Sequence, residues 1–148
     1  VFNNSLKICS ISVSTAAIKN EIFDRVGLFD ENMPVCEDYD FWLKVSSLYP
    51  VKLIPVPLTI KEGGHPNQQS KKFTAIDRFR IHAINKILAS KMLNDGQKKQ
   101  ALEELNRKCG IYIKGAKKRG KENEVKYYSN LIKIWKENDR RTETTIRN

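Results

Sequence analysis

Cys36-Glu37-Asp38-Tyr39-Asp40-Phe41-Trp42-Leu43 packs three carboxylates into four residues and then turns at once apolar. Read as the start of a helix, it puts Asp38 and Asp40 in the first turn, where free N–H groups and the positive end of the helix dipole favour anions. A carboxylate fixed there at a cleft edge is suited to general-base work or to helping hold a metal. The same residues also read as an acidic N-cap, with Asp38 or Asp40 capping and Phe41, Trp42 and Val45 packing beneath. The choice decides the fold, because the first reading wants a cleft with a sheet under it and the second wants only helices.

Upstream, Ile8 to Ile18 alternates Ile11 and Val13 with Ser10, Ser12 and Ser14, which predicts a strand with one buried face. Asn20 then reads as the N-cap of a short helix carrying Ile22, Phe23 and Val26 on one side, and Gly27 as its stop. Leu28 to Pro34 forms a loop pinned by Phe29. The acidic run opens a helix from about Asp38 to Tyr49 with Phe41, Trp42, Val45 and Leu48 on its inner stripe, closed by Pro50. Val51 to Ile60 is apolar, but Pro55 and Pro57 exclude a strand bonded on both edges. The expectation there is a short strand at Val51–Ile54 and an extended piece near Leu58–Lys61. Glu62 to Ser70 is a polar loop containing His65.

From Lys72 the period becomes helical. One stripe runs to about Leu93, and Asn94-Asp95-Gly96 breaks it. Leu102, Leu105, Cys109, Tyr112 and Ala116 form a second stripe, ended by Gly120, and Val125, Tyr128, Ile132 and Trp135 form a third. Short connections predict an antiparallel hairpin or small bundle. The polar end, Lys136 to Asn148, is expected to fray.

With 148 residues, 40% of them apolar and 30% charged, the chain has the composition of a globular protein. No apolar run approaches the roughly 20 residues that span a bilayer. Val-Phe-Asn-Asn-Ser carries neither an initiator Met nor a signal-peptide pattern, so a fragment or processed chain is expected. Cys9, Cys36 and Cys109 are odd in number and far apart, which matches neither a disulfide framework nor a zinc pattern. Residues 1–70 carry a net charge of −2 and residues 71–148 one of +12. Lys114, Lys117, Lys118, Arg119 and Lys121 cluster near a helix end and suit nucleic acid or an anionic membrane surface. No recognition helix or zinc site accompanies them, so a solvated basic face is the default and nucleic acid the poorer fit. Stacked helical-hairpin repeats would need an internal period, and none is convincing.

Three further stretches match in order and spacing: Ser14-Thr15-Ala16-Ala17-Ile18, Val26-Gly27-Leu28-Phe29-Asp30-Glu31 and Glu37-Asp38-Tyr39-Asp40-Phe41-Trp42-Leu43-Lys44, followed by His65. Over residues 8–70 the chain resembles the C-terminal part of the catalytic domain of family-two glycosyltransferases, and the remainder is similar to a helical tail carried by a bacterial subset. The resemblance implies an α/β class: a partial GT-A-like mixed sheet with helices over residues 1–70, then a basic antiparallel helical region over residues 71–148. It implies an inverting enzyme that moves a sugar from a nucleotide-diphosphate donor to a carbohydrate or lipid-linked acceptor in building cell-envelope polysaccharide.

By the same resemblance Asp38 is the base, Glu37 and Trp42 bind the acceptor, and His65 assists a metal or the diphosphate. Asp40 is left as a helix cap. The family's nucleotide-binding half and its Asp-x-Asp metal site are absent; Asp38-Tyr39-Asp40 has that form, but its place in Glu-Asp-Tyr-Asp-Phe-Trp-Leu matches the later, base-bearing element. Mg²⁺ or Mn²⁺ is therefore expected only in a full-length enzyme, and this chain is expected to be inactive alone. The implied setting is cytoplasmic, at the inner face of a membrane. The alternative is a basic helical interaction module without catalysis.

Overall fold

A computed structural model describes the backbone of residues 1–60, 62, 73 and 75–146, with side chains as far as residue 139. Among the described residues there are six α-helices, one 3-10 turn and no strand. The helices are α1 (Phe2–Lys7), α2 (Asn20–Val26), α3 (Glu37–Leu48), α4 (Asp77–Ala89), α5 (Asp95–Lys118) and α6 (Glu122–Ile146). The expected α/β fold with a GT-A-like mixed sheet is thus corrected to an all-helical one.

Two local causes account for the missing strands. In Ile8–Ile18 the hydroxyls that were read as one face of a strand close a turn instead. Thr15 Oγ1 donates to the Ser12 carbonyl at 3.1 Å, Ser12 and Ser14 share a hydroxyl contact at 3.1 Å, and Val13–Thr15 winds into a 3-10 turn. Side-chain bonds of this kind compete with a sheet ladder for the backbone. Val51 to Ile60 forms no strand and is almost wholly exposed, and the prolines withhold the donors a two-sided ladder needs.

The chain divides into two compact units, Val1–Ala101 and Leu102–Asn148. In the first, α3 is the central element and packs against α1, α2 and α4. It is enclosed on several faces: Tyr39, Asp40, Phe41, Trp42, Leu43, Val45 and Ser46 are all buried. Phe41 lies between Phe23 and Phe29, with ring centroids 5.4 and 4.6 Å away, and Val26, Trp42 and Val45 complete that cluster. The expected anchor Phe29 and the Gly27 stop are in place, Gly27 with φ of 80°. Asn20 is the first residue of α2, with Lys19 at the cap. Tyr49 is extended ahead of Pro50, as the residue before a proline must usually be.

The hydroxyl of Tyr39 donates to the Leu6 carbonyl at 2.5 Å and ties α3 to the end of α1. That bond is buried, so Tyr39→Phe strands an acceptor. We expect a loss of about 1–2 kcal/mol in urea unfolding, with no loss of helicity in the circular dichroism of the folded variant.

α5 opens on a capping box: Asn94 Oδ1 accepts from the Gln97 N–H at 2.9 Å, and Gln97 Oε1 accepts from the Asn94 N–H at 3.0 Å. In the second unit the expected stripe is buried at Leu102, Leu105, Cys109, Tyr112 and Ala116. α5 ends in a Schellman motif, in which Lys121 N–H reaches the Ala116 carbonyl, Gly120 N–H reaches that of Lys117, and Gly120 has φ of 66°. Tyr112 packs on Tyr128 with ring centroids 4.5 Å apart and the planes tilted, and it donates to Glu124 Oε2 at 2.9 Å, which joins α5 to α6. α6 runs on to Ile146, so the fraying expected from Lys136 is replaced by continued helix.

Candidate active site at the start of α3

Cys36 caps α3 in the left-handed region, φ 66° and ψ 18°, a conformation that costs a residue with a Cβ about 1–2 kcal/mol. It is buried there, as are Met33, Val35 and Tyr39. Its carbonyl accepts the first helical bond, from the Asp40 N–H at 3.0 Å. The sharp entry sets Glu37 and Asp38 in the first turn, both half-buried.

The three carboxylates then separate by environment. Asp38 Oδ1 accepts from the Tyr39 N–H at 2.7 Å, and Oδ2 accepts from Cys9 Sγ at 3.3 Å. Burial and the neighbouring Asp38 charge push the Cys9 thiol up to about 12, so it stays protonated and can donate. Glu37 has no partner among the described side chains. Asp40 is 2% exposed, and its Oδ2 meets Lys44 Nζ at 2.9 Å and Lys86 Nζ at 3.1 Å. Lys86, on α4, also holds Asp30 Oδ2 at 2.5 Å, so one ammonium joins the loop before α3, α3 and α4. The expected cap at Asp40 is therefore corrected: it is a buried ion-pair partner.

Burial lowers the Lys86 pKa, but its bonds to Asp30 and Asp40 outweigh that and leave it raised. The Lys86 bond holds Asp30 down at about 2, helped by the Asn32 N–H. A depressed folded-state value means that the Asp30 contribution is present above pH about 4 and lost as pH falls towards 2. The urea-stability gap between the wild type and Asp30→Asn should close across that window, by on the order of 1 kcal/mol after solvent screening.

Trp42, expected against the acceptor, is 4% exposed and packs edge-on to Phe41 at 5.2 Å, with its indole Nε1 unpartnered among the described residues. Cys36 is pushed up by burial to about 11, opposed by the Arg80 guanidinium of α4. His65 lies outside the described residues. Among the described residues no three His, Cys, Asp or Glu side chains gather as a metal would require. Sequence reasoning brought Glu37 and Asp38 together on the first turn. It missed Cys9 and Lys86, which come from 29 and 46 residues away from their partners Asp38 and Asp40. No local pattern announces either; only the Asp40–Lys44 spacing of four was there to be read.

No family model matches the chain, and no solved structure matches it. A stretch of 56 residues, 36% of this chain, is 45% identical to an uncharacterized glycosyltransferase of Rickettsia bellii (strain RML369-C). The match spans 8% of that protein's length. Part of the chain is thus similar to a glycosyltransferase. Among the described residues no helix is long and apolar enough to cross a membrane.

Proposed function

We propose that this chain supplies the acceptor-side base of a glycosyltransferase that is completed by a donor-binding region elsewhere in a longer protein. The observation that carries the reading is the division of the acidic run: Asp40 is buried in ion pairs, while Asp38 is half-buried and, among the described residues, bonded only by the Tyr39 N–H and Cys9. The stretch shared with the Rickettsia bellii protein supports the class of reaction. The helical fold itself lends no support.

In this reading an acceptor hydroxyl gives its proton to Asp38 while its oxygen bonds to the anomeric carbon of the donor sugar. The bond from that carbon to the diphosphate oxygen breaks, and the electron pair leaves with the diphosphate. The configuration inverts, because attack and departure occur on opposite faces. Glu37 accepts a second acceptor hydroxyl, and Trp42 holds the first turns of α3 in place from the core. A divalent cation would neutralise the departing diphosphate. The described residues do not make a site for one, so that task falls to the donor-binding region, with His65 as the candidate in this chain. The acceptor is a saccharide, free or lipid-linked, met at the cytoplasmic face of a membrane.

Ligand-observed NMR with a panel of mono- and disaccharides and of nucleotide-diphosphate sugars tests the division of labour. Weak saccharide binding without donor binding is the expected result. Tight, metal-dependent donor binding, or a panel silent for every saccharide, contradicts the reading.

A further inference from the structure

The turn between α5 and α6 is crowded with cations. Residues 114–126 hold Lys114, Lys117, Lys118, Arg119, Lys121 and Lys126 against two carboxylates, and all six cations are exposed. Glu124 is engaged by Lys121 and by the Tyr112 hydroxyl, both at 2.9 Å. Lys114, Lys117, Lys118 and Lys126 form no ion pair among the described residues.

Apolar side chains stand among these charges. The exposed large apolar residues described in the second unit are Ile111, Tyr127 and Ile134, at 52, 61 and 53% exposure. Tyr112 and Tyr128 face each other, and α5 and α6, joined through Arg119–Lys121, run in opposite directions. One residue earlier in each helix the side chain is rotated by about 100°, and in an antiparallel pair those two rotations lead to the same side. Ile111 and Tyr127 are therefore level with one another on one side of the hairpin, and Ile134, two turns after Tyr127, extends the stripe. Gly115, one turn after Ile111, is on that side too. A Cβ there would come within 3.1 Å of Arg119 Nη1, so the Arg119 guanidinium lies along it as well. Lys114 and Lys118, three and seven residues after Ile111, border the stripe.

We propose that this side of the hairpin docks on a bilayer containing anionic phospholipid. Ile111, Tyr127 and Ile134 enter the headgroup boundary, and the cations around them meet lipid phosphates. Charge complementarity selects the occupant. Six exposed cations require an anionic partner, and the apolar side chains between them require one with hydrocarbon to offer. A nucleic acid satisfies the cations and gives two isoleucines nothing; a neutral bilayer does the reverse. The cations are also spread over two helices and a turn, which suits a fluid array of phosphates better than one fixed partner. Among the described residues no helix is long and apolar enough to cross a membrane, and the proposed contact is with its surface. The inference gives the membrane of the proposed function a place on the chain, and the chemistry of Asp38 does not enter it. Vesicle binding and saccharide binding are read separately, so either can fail without the other.

The test is co-sedimentation of the whole chain with vesicles of phosphatidylcholine mixed with phosphatidylglycerol, against phosphatidylcholine alone and against a single-stranded oligonucleotide at matched ionic strength. Binding to the mixed vesicles in preference to both is expected. The triple variant Lys114→Gln/Lys117→Gln/Lys118→Gln should weaken it by about a hundredfold, since each cation near an anionic surface is worth about fivefold. Ile111→Ser/Tyr127→Ser, which keeps every charge, should weaken it by about tenfold. All of these positions are exposed, and circular dichroism confirms that the variants stay helical. Tyr127→Trp should gain emission that lipids with brominated chains quench, whereas Ser129→Trp, turned by about 200° to the opposite side of α6, should gain emission that they do not. Absence of vesicle binding overturns the proposal, as does equal binding to both vesicles or tighter binding to the oligonucleotide. So does anionic binding that is indifferent to Ile111→Ser/Tyr127→Ser, or equal quenching at the two tryptophan positions.

Discussion

Lys86→Met is expected to lower the unfolding free energy of the first unit by about 3 kcal/mol in urea denaturation. The substitution keeps an unbranched apolar side chain at this position of α4 and deletes the ammonium, so the effect reports charge. It leaves Asp40, a carboxylate 2% exposed, with Lys44 as its remaining cation, and it frees Asp30 from its ion pair. A buried carboxylate stripped of one of its two ammonium partners is less well compensated, whereas a buried pair is often no better than an apolar replacement of the same shape. The double variant Asp40→Leu/Lys86→Met should therefore recover most of the loss. A single variant within about 0.5 kcal/mol of the wild type, the scale of an ordinary surface substitution, would show that the pair does not hold α3 to α4.

Phe41→Ala carries the other large effect, about 3–5 kcal/mol. Its ring is fully buried where α2, the following loop and α3 converge, in contact with Phe23, Phe29 and Trp42. Deleting it removes the aromatic contacts of three elements at once and leaves a cavity in the middle of the cluster. Since domains of this size hold only about 5–15 kcal/mol in total, the variant should unfold at a much lower urea concentration. Glu37 and Asp38 would lose their fixed position with it, which links the packing of this core to the candidate chemistry. A midpoint close to the wild type would mean that α2 and the Phe29 loop do not depend on α3.

Where the sequence could be read, the interactions that shape the chain are short-range. Gly27 and Gly120 stop helices because only a left-handed residue closes those ends, and the gaps of three and four from Leu102 to Ala116 describe a face that is buried. Glu37 and Asp38 fall in a first helical turn for equally local reasons. The strands failed because period-two alternation is a necessary sign of a strand and not a sufficient one: Thr15 bonds the Ser12 carbonyl and closes a turn within Ile8–Ile18, and Val51–Ile60 forms no strand. The fate of Asp40 was out of reach, since its buried state depends on Lys86, a residue 46 positions away that sits in an otherwise ordinary helix. Cys9 against Asp38 is hidden in the same way. The resemblance to a transferase family implied a sheet, and the described residues form none.

If Asp38 is the residue that meets an acceptor hydroxyl and Asp40 is structural, then affinity for the best-bound saccharide should follow Asp38 alone. The direct measurement is that saccharide's dissociation constant for Asp38→Asn against the wild type, taken where both are fully folded. A carboxylate accepting from a sugar hydroxyl is a charge-assisted bond, so the expected result is binding weaker by about tenfold or more, with the urea midpoint little changed. Unchanged affinity in Asp38→Asn would contradict the account.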